Sequence, residues 1–256
     1  MSEPLLVVEN LSVIHPARGA ATAVTALDGV SLRLERGEVL ALAGDSGSGK
    51  STLARAILGL VPTARGSVRI DGREVIGADP ASLRQIRAGA QMVFQDSGEA
   101  LNPRMRIGDS IGEPLEAYGR AYGAEATEII SRLLVLVGLD PTDARAYPAQ
   151  LSGGQRQRVG IARALALDPA LILWDEAVSA LDGPVRAQVL SLILDLQRTR
   201  RLASLLISHD LTVVRHVADR VAVMQGGRIV ETGPCDRLFS APQHAATRRL
   251  IAAMPG

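Results

Sequence analysis

The feature that most constrains this chain is a glycine-rich segment between an apolar run and a helical pattern. It reads Gly44-Asp45-Ser46-Gly47-Ser48-Gly49-Lys50-Ser51-Thr52 and fits the pattern G-x-x-x-x-G-K-[ST]. Its glycines allow backbone N–H groups to turn inward around phosphate oxygens, and the positive end of the following helix faces them. The apolar run 39–43 and the helical stretch 53–58 supply the flanking strand and helix. The segment therefore predicts a nucleotide phosphate site.

Lys50 is the one lysine of the chain, because the other 27 of its 28 basic residues are arginine. Coding bias accounts for the arginines, but a compact ammonium on a slim stem suits a phosphate loop better than a planar guanidinium. We expect Lys50 to reach the β- and γ-phosphates and the Ser51 hydroxyl to bind Mg²⁺.

The hydrophobic pattern predicts an α/β fold. Short apolar runs such as 171–174 and 205–207 indicate buried parallel strands, and 125–136 has the spacing of an amphipathic helix. Alternation within 5–43 indicates antiparallel strands, and 221–231 predicts a hairpin. These elements predict a P-loop NTPase (RecA-like) core sheet with an N-terminal antiparallel β subdomain and an inserted α-helical subdomain.

We expect a single domain, 1–256, with internal subdivisions. Its parts are a core with the antiparallel subdomain (1–95 and 168–235), a helical subdomain (96–167) and a C-terminal tail (236–256).

Composition excludes several classes of protein. The single cysteine, Cys235, rules out an internal disulfide framework, a cysteine-rich zinc site and an iron–sulfur cluster. A formal net charge of +1, without a basic stripe bearing aromatic residues, argues against a nucleic-acid partner. The N-terminus has no secretion-signal pattern, and no apolar stretch approaches the ~18 residues of a membrane span. We therefore expect the protein on the cytoplasmic side of the membrane.

A second apolar strand, 171–174, is followed by two carboxylates. Asp175 is placed to hold Mg²⁺ through water, and Glu176 is placed to polarise an attacking water. A strand ending in two acids is weak evidence alone, but together with Lys50 it indicates a P-loop ATPase.

A second anion-binding turn lies in Leu151-Ser152-Gly153-Gly154-Gln155, directly before a helix that runs through Arg156 to Leu167. Three further residues stand in short motifs: Gln95 in VFQ, Asp182 in SALD and His209 in ISHD. With LSGGQ, these motifs strongly resemble the nucleotide-binding subunit of an ABC transporter over nearly the whole chain.

The resemblance implies a head-to-tail dimer in which ATP lies between the phosphate loop of one subunit and residues 152–155 of the other. It further implies that Gln95 touches Mg²⁺ or the attacking water and links to two membrane permease subunits. Asp182 would lie at the dimer interface, and His209 would contact the γ-phosphate. An extracytoplasmic substrate-binding protein would deliver the cargo.

The adenine site departs from the family pattern. An aromatic residue near the first strand usually stacks on the base, yet the first aromatic residue of this chain is Phe94. His15 occupies the expected position and can stack with a smaller ring, with Val24 beside the base. The alternative is that His15 is only a surface loop residue.

The branch of the family is narrowed by further segments. Similarity to the oligopeptide, dipeptide and nickel importers is found in QD (95–96), ALNPR (100–104), IGEPL (111–115), DEAVSALD (175–182) and the tail 244–255. In that tail, Ala245 and Ala246 replace the Pro and Tyr of the branch motif. Segments 151–155 and 175–182 resemble the second of the two different ATPases of that branch, so a heterodimer is expected, with a homodimer as the alternative. The resemblance implies an ATP-hydrolysing subunit of an importer of di- or oligopeptides, in which ATP-driven closure of the dimer is coupled to transport. A nickel importer, a soluble ABC-type ATPase of phosphonate breakdown and a mechanical or DNA-repair ATPase are the alternatives.

Overall fold

The computed structural model describes residues 3–15, 23–95, 101–177 and 183–254. Within these ranges the strands are β1 Leu6–His15, β2 Val24–Leu34, β3 Val39–Gly44, β4 Arg65–Ile70, β5 Arg73–Glu74, β6 Ala90–Val93, β7 Leu171–Asp175, β8 Ala203–Ile207, β9 Arg220–Gln225 and β10 Arg228–Pro234. The α-helices are α1 Lys50–Ile57, α2 Pro80–Gly89, α3 Ile107–Ala117, α4 Gly123–Leu136, α5 Gly153–Leu165, α6 Gly183–Arg200, α7 Leu211–Val217, α8 Cys235–Ser240 and α9 Ala245–Ala252. Short 3₁₀ helices cover Pro141–Arg145 and Pro148–Gln150.

The larger sheet has the strand order β10-β9-β3-β8-β7-β6. All its neighbouring pairs are parallel except the hairpin of β9 and β10. Every residue of β3, β7 and β8 is buried, as expected for strands covered on both faces. Trp174 in β7 is fully buried, and its ring N–H donates to Ser204 Oγ at 3.1 Å.

The smaller sheet is antiparallel and has the order β2-β1-β4-β5. Its first two strands were expected, whereas β4 and β5 are additional. Apolar residues of this sheet, such as Leu6 and Leu34, share one core with Leu40 of β3 and Leu53 of α1. The antiparallel sheet and α1 therefore cover one face of the parallel sheet.

The opposite face of the parallel sheet carries the helical region. Buried residues of α3, α4 and α5 form one cluster with Ile172 and Trp174 of β7. The two sheets and these helices agree with the expected architecture, and the α/β P-loop fold is confirmed. In the described part of the chain, no helix is long and apolar enough to span a bilayer.

Two helix boundaries differ from the sequence prediction. α1 begins at Lys50 instead of residue 53, because Gly49 adopts a φ of 106° and its carbonyl accepts the Leu53 N–H at 2.9 Å. α5 ends at Leu165 instead of Leu167. The first of these differences matters, because it places Lys50, Ser51 and Thr52 in the first turn of α1.

The C-terminal helix α9 is held by a carboxylate of β10. Glu231 accepts the backbone N–H groups of Gln243 and His244, both at 2.9 Å. Partial burial alone would raise the pKa of Glu231, but the hydrogen bonds from the backbone N–H groups of Gln243 and His244 help to outweigh it, and the pKa is lowered. The ionised carboxylate therefore fastens α9 to the sheet.

Candidate functional site

Most of the predicted site residues meet at one edge of the parallel sheet. Gly44 ends β3, Asp175 ends β7, and His209 and Gln95 follow β8 and β6. The register aligns Val93 with Trp174 and Asp175 with Ile207, so these strands end at the same level. Ligands of open parallel sheets bind outside this carboxyl edge.

The phosphate loop between β3 and α1 is shaped by glycines that leave no room for a side chain. A Cβ on Gly44 would overlap the carbonyl oxygen of Met224, and one on Gly49 would lie 2.7 Å from the Ala26 carbonyl oxygen. Gly227, in the β9–β10 turn, donates its N–H to the Ser48 carbonyl at 3.1 Å. The loop is thus braced by β2 and by the hairpin, in a shape that only glycine permits.

Lys50 turns back over this loop. Its ammonium donates to the carbonyls of Gly44 at 2.8 Å and Asp45 at 2.9 Å, and its residue surface is only 6% exposed. Burial lowers the pKa of Lys50, although the charges of Glu176, Asp45 and Asp175 oppose the shift. A buried ammonium beside the helix N-terminus is suited to bind phosphate oxygens.

Ser51 and Asp175 are in direct contact. The Ser51 hydroxyl donates to Asp175 Oδ1 at 2.8 Å, and burial raises the pKa of Asp175, opposed by that hydrogen bond. A hydroxyl and a carboxylate are oxygen ligands of the kind that Mg²⁺ prefers. Among the described residues, no group of three His, Cys, Asp or Glu could hold a metal by itself. These residues therefore fit a metal that takes its other ligands from phosphate and water.

The N-terminus of α1 is open to an anion. Gly49 is its N-cap, and no side chain caps the helix. The first N–H groups of a helix have no partners within that helix, and its dipole favours negative charge there. The loop, the helix end and Lys50 together fit the phosphates of a nucleotide.

Glu176 and His209 form a pair across the ends of β7 and β8. His209 Nδ1 lies 3.5 Å from Glu176 Oε2, and the Glu176 N–H donates to the Ile207 carbonyl at 3.1 Å. Glu176 has a φ of 52°, in the left-handed region that non-glycine residues seldom adopt. This turn directs the carboxylate toward His209, whose side chain is 63% exposed.

The structure does not test the roles predicted for two other residues. Gln95 is exposed in the turn after β6. Asp182 lies outside the described residues, as do 96–100 and 178–181. The proposed roles of Gln95 and Asp182 therefore stay predictions.

The second anion-binding turn is a capping box at the start of α5. Gln155 donates its N–H to Ser152 Oγ at 3.2 Å, and its side-chain oxygen accepts the Ser152 N–H at 2.9 Å. No hydrogen bond among the described residues joins this turn to the phosphate loop of the same chain. The turn is therefore a separate site.

His15 and Val24 are directly opposite each other at the end of the β1–β2 ladder. Side chains of directly paired residues lie on the same face of a sheet. His15 is exposed, and Val24 is 59% exposed. β2 also places the Ala26 carbonyl against Gly49, so Val24 lies on the strand that borders the phosphate loop, and His15 lies on the neighbouring strand β1.

Sequence reasoning missed one residue at this edge of the sheet. Gln157 of α5 is 5% exposed, and its amide donates to the carbonyls of Phe94 at 3.3 Å and Ala177 at 3.0 Å. Gln157 stands at the first position of a buried helical stripe that continues with Ile161, Ala164 and Leu165. A polar residue on an apolar stripe was the signal that could have identified it.

Comparison with known proteins gives matches along the chain. The family model described as ABC transporter matches residues 27–179. A probable peptide ABC transporter ATP-binding protein of Sinorhizobium fredii, y4tS, is 47% identical over 260 residues, which cover 100% of this chain and 74% of that protein. The glutathione import ATP-binding protein GsiA of Escherichia coli K12 is 48% identical over 258 residues, which cover 99% of this chain but 41% of GsiA. This chain thus spans less than half of GsiA.

Solved structures share the fold. A dimeric, post-hydrolysis form of the ATP-binding cassette MJ0796, bound to ADP and Pi, has a TM-score of 0.81 and 30% identity, covering 90% of this chain and 98% of MJ0796. CbiO1 of Clostridium perfringens, part of the ABC transporter complex cbiONQ, has a TM-score of 0.80 and 25% identity, covering 94% of this chain and 92% of cbiO1.

Proposed function

Because this chain belongs to the ABC transporter family and is an ABC-type ATPase, we propose that it powers an importer of di- or oligopeptides. The resemblance seen in its motifs is confirmed at the level of the family. The observation that carries the proposal is the assembly of Lys50, Ser51 and Asp175 at the end of β3 and β7. This assembly pairs an uncapped helix N-terminus with a hydroxyl–carboxylate contact.

We propose that ATP binds with its phosphates on the loop 44–52. Backbone N–H groups and Lys50 would hold the β- and γ-phosphates, while Ser51 and, through water, Asp175 would hold Mg²⁺. When bound, Mg²⁺ would neutralise phosphate charge. Gln95 would complete the metal or water contacts. His15 would stack on the adenine with Val24 beside it, which their exposed, paired placement supports.

Hydrolysis would depend on Glu176. Its carboxylate would accept a proton from the attacking water, and His209, 3.5 Å away, would hold the carboxylate and contact the γ-phosphate. Both residues follow neighbouring strands of the sheet, so their separation is set by the backbone. A general base held this way needs little reorganisation when substrate binds.

We propose that two such domains close head to tail over two ATP molecules. Ser152, Gly153, Gly154 and Gln155 would contact the ATP held by the phosphate loop of a second ATPase subunit. The separation of this turn from the phosphate loop of its own chain supports that arrangement. The dimeric form of MJ0796, 30% identical to this chain, supports it further. A heterodimer with a different ATPase chain is our expectation, with a homodimer as the other outcome.

We propose the cargo from the substrates for which two similar proteins are named. The Sinorhizobium protein is named for peptides and GsiA for glutathione, itself a small peptide. The chain would lie on the cytoplasmic face of the membrane against two permease subunits, supplied by an extracytoplasmic binding protein. Nickel is the alternative cargo of the same branch.

The proposal is tested by Lys50→Ala. The variant should lose most ATP affinity and all Mg²⁺-dependent hydrolysis, measured by calorimetry and phosphate release. Arg36→Ala, which removes an exposed cation paired with Asp71, is the matched control and should leave both unchanged. Unchanged ATP affinity in Lys50→Ala would refute the proposal.

The cargo needs its own experiment. The substrate-binding protein that delivers cargo to this importer should be titrated with glutathione, with short peptides and with Ni²⁺. Peptide binding without Ni²⁺ binding supports the proposed cargo, and the reverse result assigns the chain to nickel import.

A further inference from the structure

Gln157 joins three parts of the molecule through one side chain. It lies on α5, about one turn after the Ser152 N-cap, and its amide reaches two backbone carbonyls on other elements. One carbonyl belongs to Phe94, the residue before Gln95. The other belongs to Ala177, the residue after Glu176. The amide thus contacts the backbone next to two residues that we assign to hydrolysis.

The burial around Gln157 makes the loss of these hydrogen bonds costly. Gln157 is 5% exposed, and Ala177 is fully buried. A buried carbonyl that loses its donor keeps the full cost of its desolvation, whereas an exposed one is compensated by water. The Ala177 segment is therefore held firmly by the amide, whereas the hydrogen bond to the carbonyl of the more exposed Phe94 is the weaker link.

We propose that Gln157 is a positioning residue that transmits the state of one ATP site to the other. The inference rests on the proposed function, in which residues 152–155 touch the ATP of the partner subunit. α5 is a continuous helix, so a shift of its first turn against that ATP moves Gln157 with it. Through its two hydrogen bonds, the amide then moves the backbone next to Gln95 and Glu176. These two residues act on the ATP bound at the chain's own site.

This arrangement has a directional consequence. Without ATP from the partner against residues 152–155, the amide holds Gln95 and Glu176 in the nucleotide-free arrangement. Closure of the dimer moves α5 and brings both residues to the attacking water together. Gln157 makes hydrolysis in one site depend on occupancy of the other.

Two substitutions separate this role from simple packing. Gln157→Met retains the length of the side chain but removes both donors. Gln157→Glu retains the shape and, when ionised, offers only acceptors to the two carbonyls. The matched control is Gln197→Met, because Gln197 of α6 also donates twice, to the Gly37 carbonyl at 3.0 Å and to Asp219 Oδ2 at 2.7 Å, far from the phosphate loop.

The full chain, alone and in the complex with which it purifies, is assayed for Mg²⁺-dependent ATP hydrolysis. Gln157→Met should lower kcat about tenfold, with the KM for ATP nearly unchanged and the cooperativity in ATP reduced. Gln157→Glu should be slower still at neutral pH and recover toward Gln157→Met in mild acid, where its protonated form can donate. Gln197→Met should lose stability without a change in kcat or cooperativity.

Hydrogen exchange provides a second readout that does not require turnover. Residues 91–95 and 172–177 should exchange faster in Gln157→Met than in Gln197→Met. Each variant is measured at a temperature equally far below its own melting temperature. Equal kinetics and equal exchange in the two variants would overturn the inference while leaving the ATPase assignment intact. Unchanged ATP affinity in Lys50→Ala would instead overturn the proposed function, and the exchange comparison would still decide whether Gln157 links the segments.

Discussion

The Ser51 hydroxyl and the Asp175 carboxylate are joined by a 2.8 Å hydrogen bond, although the residues are 124 positions apart. Ser51 is in the first turn of α1, and Asp175 is the last residue of β7. The bond holds two prospective oxygen ligands of Mg²⁺ side by side before nucleotide binds. Binding therefore needs little movement of either side chain.

Glu176→Gln should bind ATP with nearly unchanged affinity but hydrolyse it at least about a hundredfold more slowly, because the amide cannot accept a proton. The closed dimer should then accumulate with ATP and Mg²⁺. Phosphate release and size-exclusion chromatography with ATP measure the two effects. Hydrolysis near the unsubstituted rate would remove the role that we assign to Glu176.

His15→Ala should weaken ATP binding about fivefold through loss of base stacking, and His15→Tyr should restore or strengthen it. Calorimetric titration with ATP measures the change. The affinity for inorganic triphosphate, which has no base, should be equal in all three proteins. Equal ATP affinity in His15→Ala would make His15 an ordinary surface residue.

Gly44→Ala should destabilise the fold by about 3 kcal/mol, because its Cβ overlaps the Met224 carbonyl and α1 cannot move away from the buried core. Gly47→Ala is the control: it has a φ of 77° but no atom within 4 Å of the added Cβ. Its cost should be only about 1 kcal/mol of backbone strain. Urea unfolding measures the free energy of unfolding of both variants. Equal losses in the two variants would show that the loop has another shape.

Ser152→Ala removes the N-cap of α5 and should cost about 1 kcal/mol of stability. It should also reduce ATP-dependent dimerisation, since we propose that Ser152 contacts the ATP of the partner subunit. Asp79→Ala removes the cap of α2 and should lower the melting temperature without affecting dimerisation. If light scattering shows the two variants dimerising equally well, the turn 152–155 is structural only.

Glu231→Gln should loosen α9 in a pH-dependent way. The pKa of Glu231 is lower in the folded chain than in the unfolded one, so the ionised carboxylate stabilises the fold above the unfolded pKa. That stabilisation is lost as the pH falls through the folded pKa. The variant should therefore melt lower than the unsubstituted chain at neutral pH and equally in acid, as followed by thermal unfolding across pH. A difference that is independent of pH would contradict the assigned cause.

The sequence predicted those parts of the site that a continuous segment forms by itself. The loop 44–52 contains its own glycines and cation, and the capping box of Ser152 and Gln155 is complete within four residues. The fold class also followed, because the apolar runs of β3, β7 and β8 have the pattern of fully buried parallel strands.

Features that depend on distant partners were harder to predict. β4 is partly exposed and β5 is exposed, and the pairing of β4 with β1 is set by the tertiary fold. Gln157 is one polar residue on an amphipathic helix, and nothing local reveals that its acceptors lie in the segments that follow β6 and β7. The roles of Gln95 and Asp182 and the division into subdomains at 95 and 168 stay predictions.

The burial of Lys50 also makes the chain a selective chemical target. An amine-reactive reagent meets only one side-chain amine in the whole sequence. Because desolvation lowers the pKa of Lys50, a larger share of that amine is the nucleophilic neutral form than in an ordinary lysine. Acylation at this nucleotide-protectable position, separated from acylation of the N-terminal amine by peptide mass mapping, would report occupancy of the phosphate loop without any introduced label.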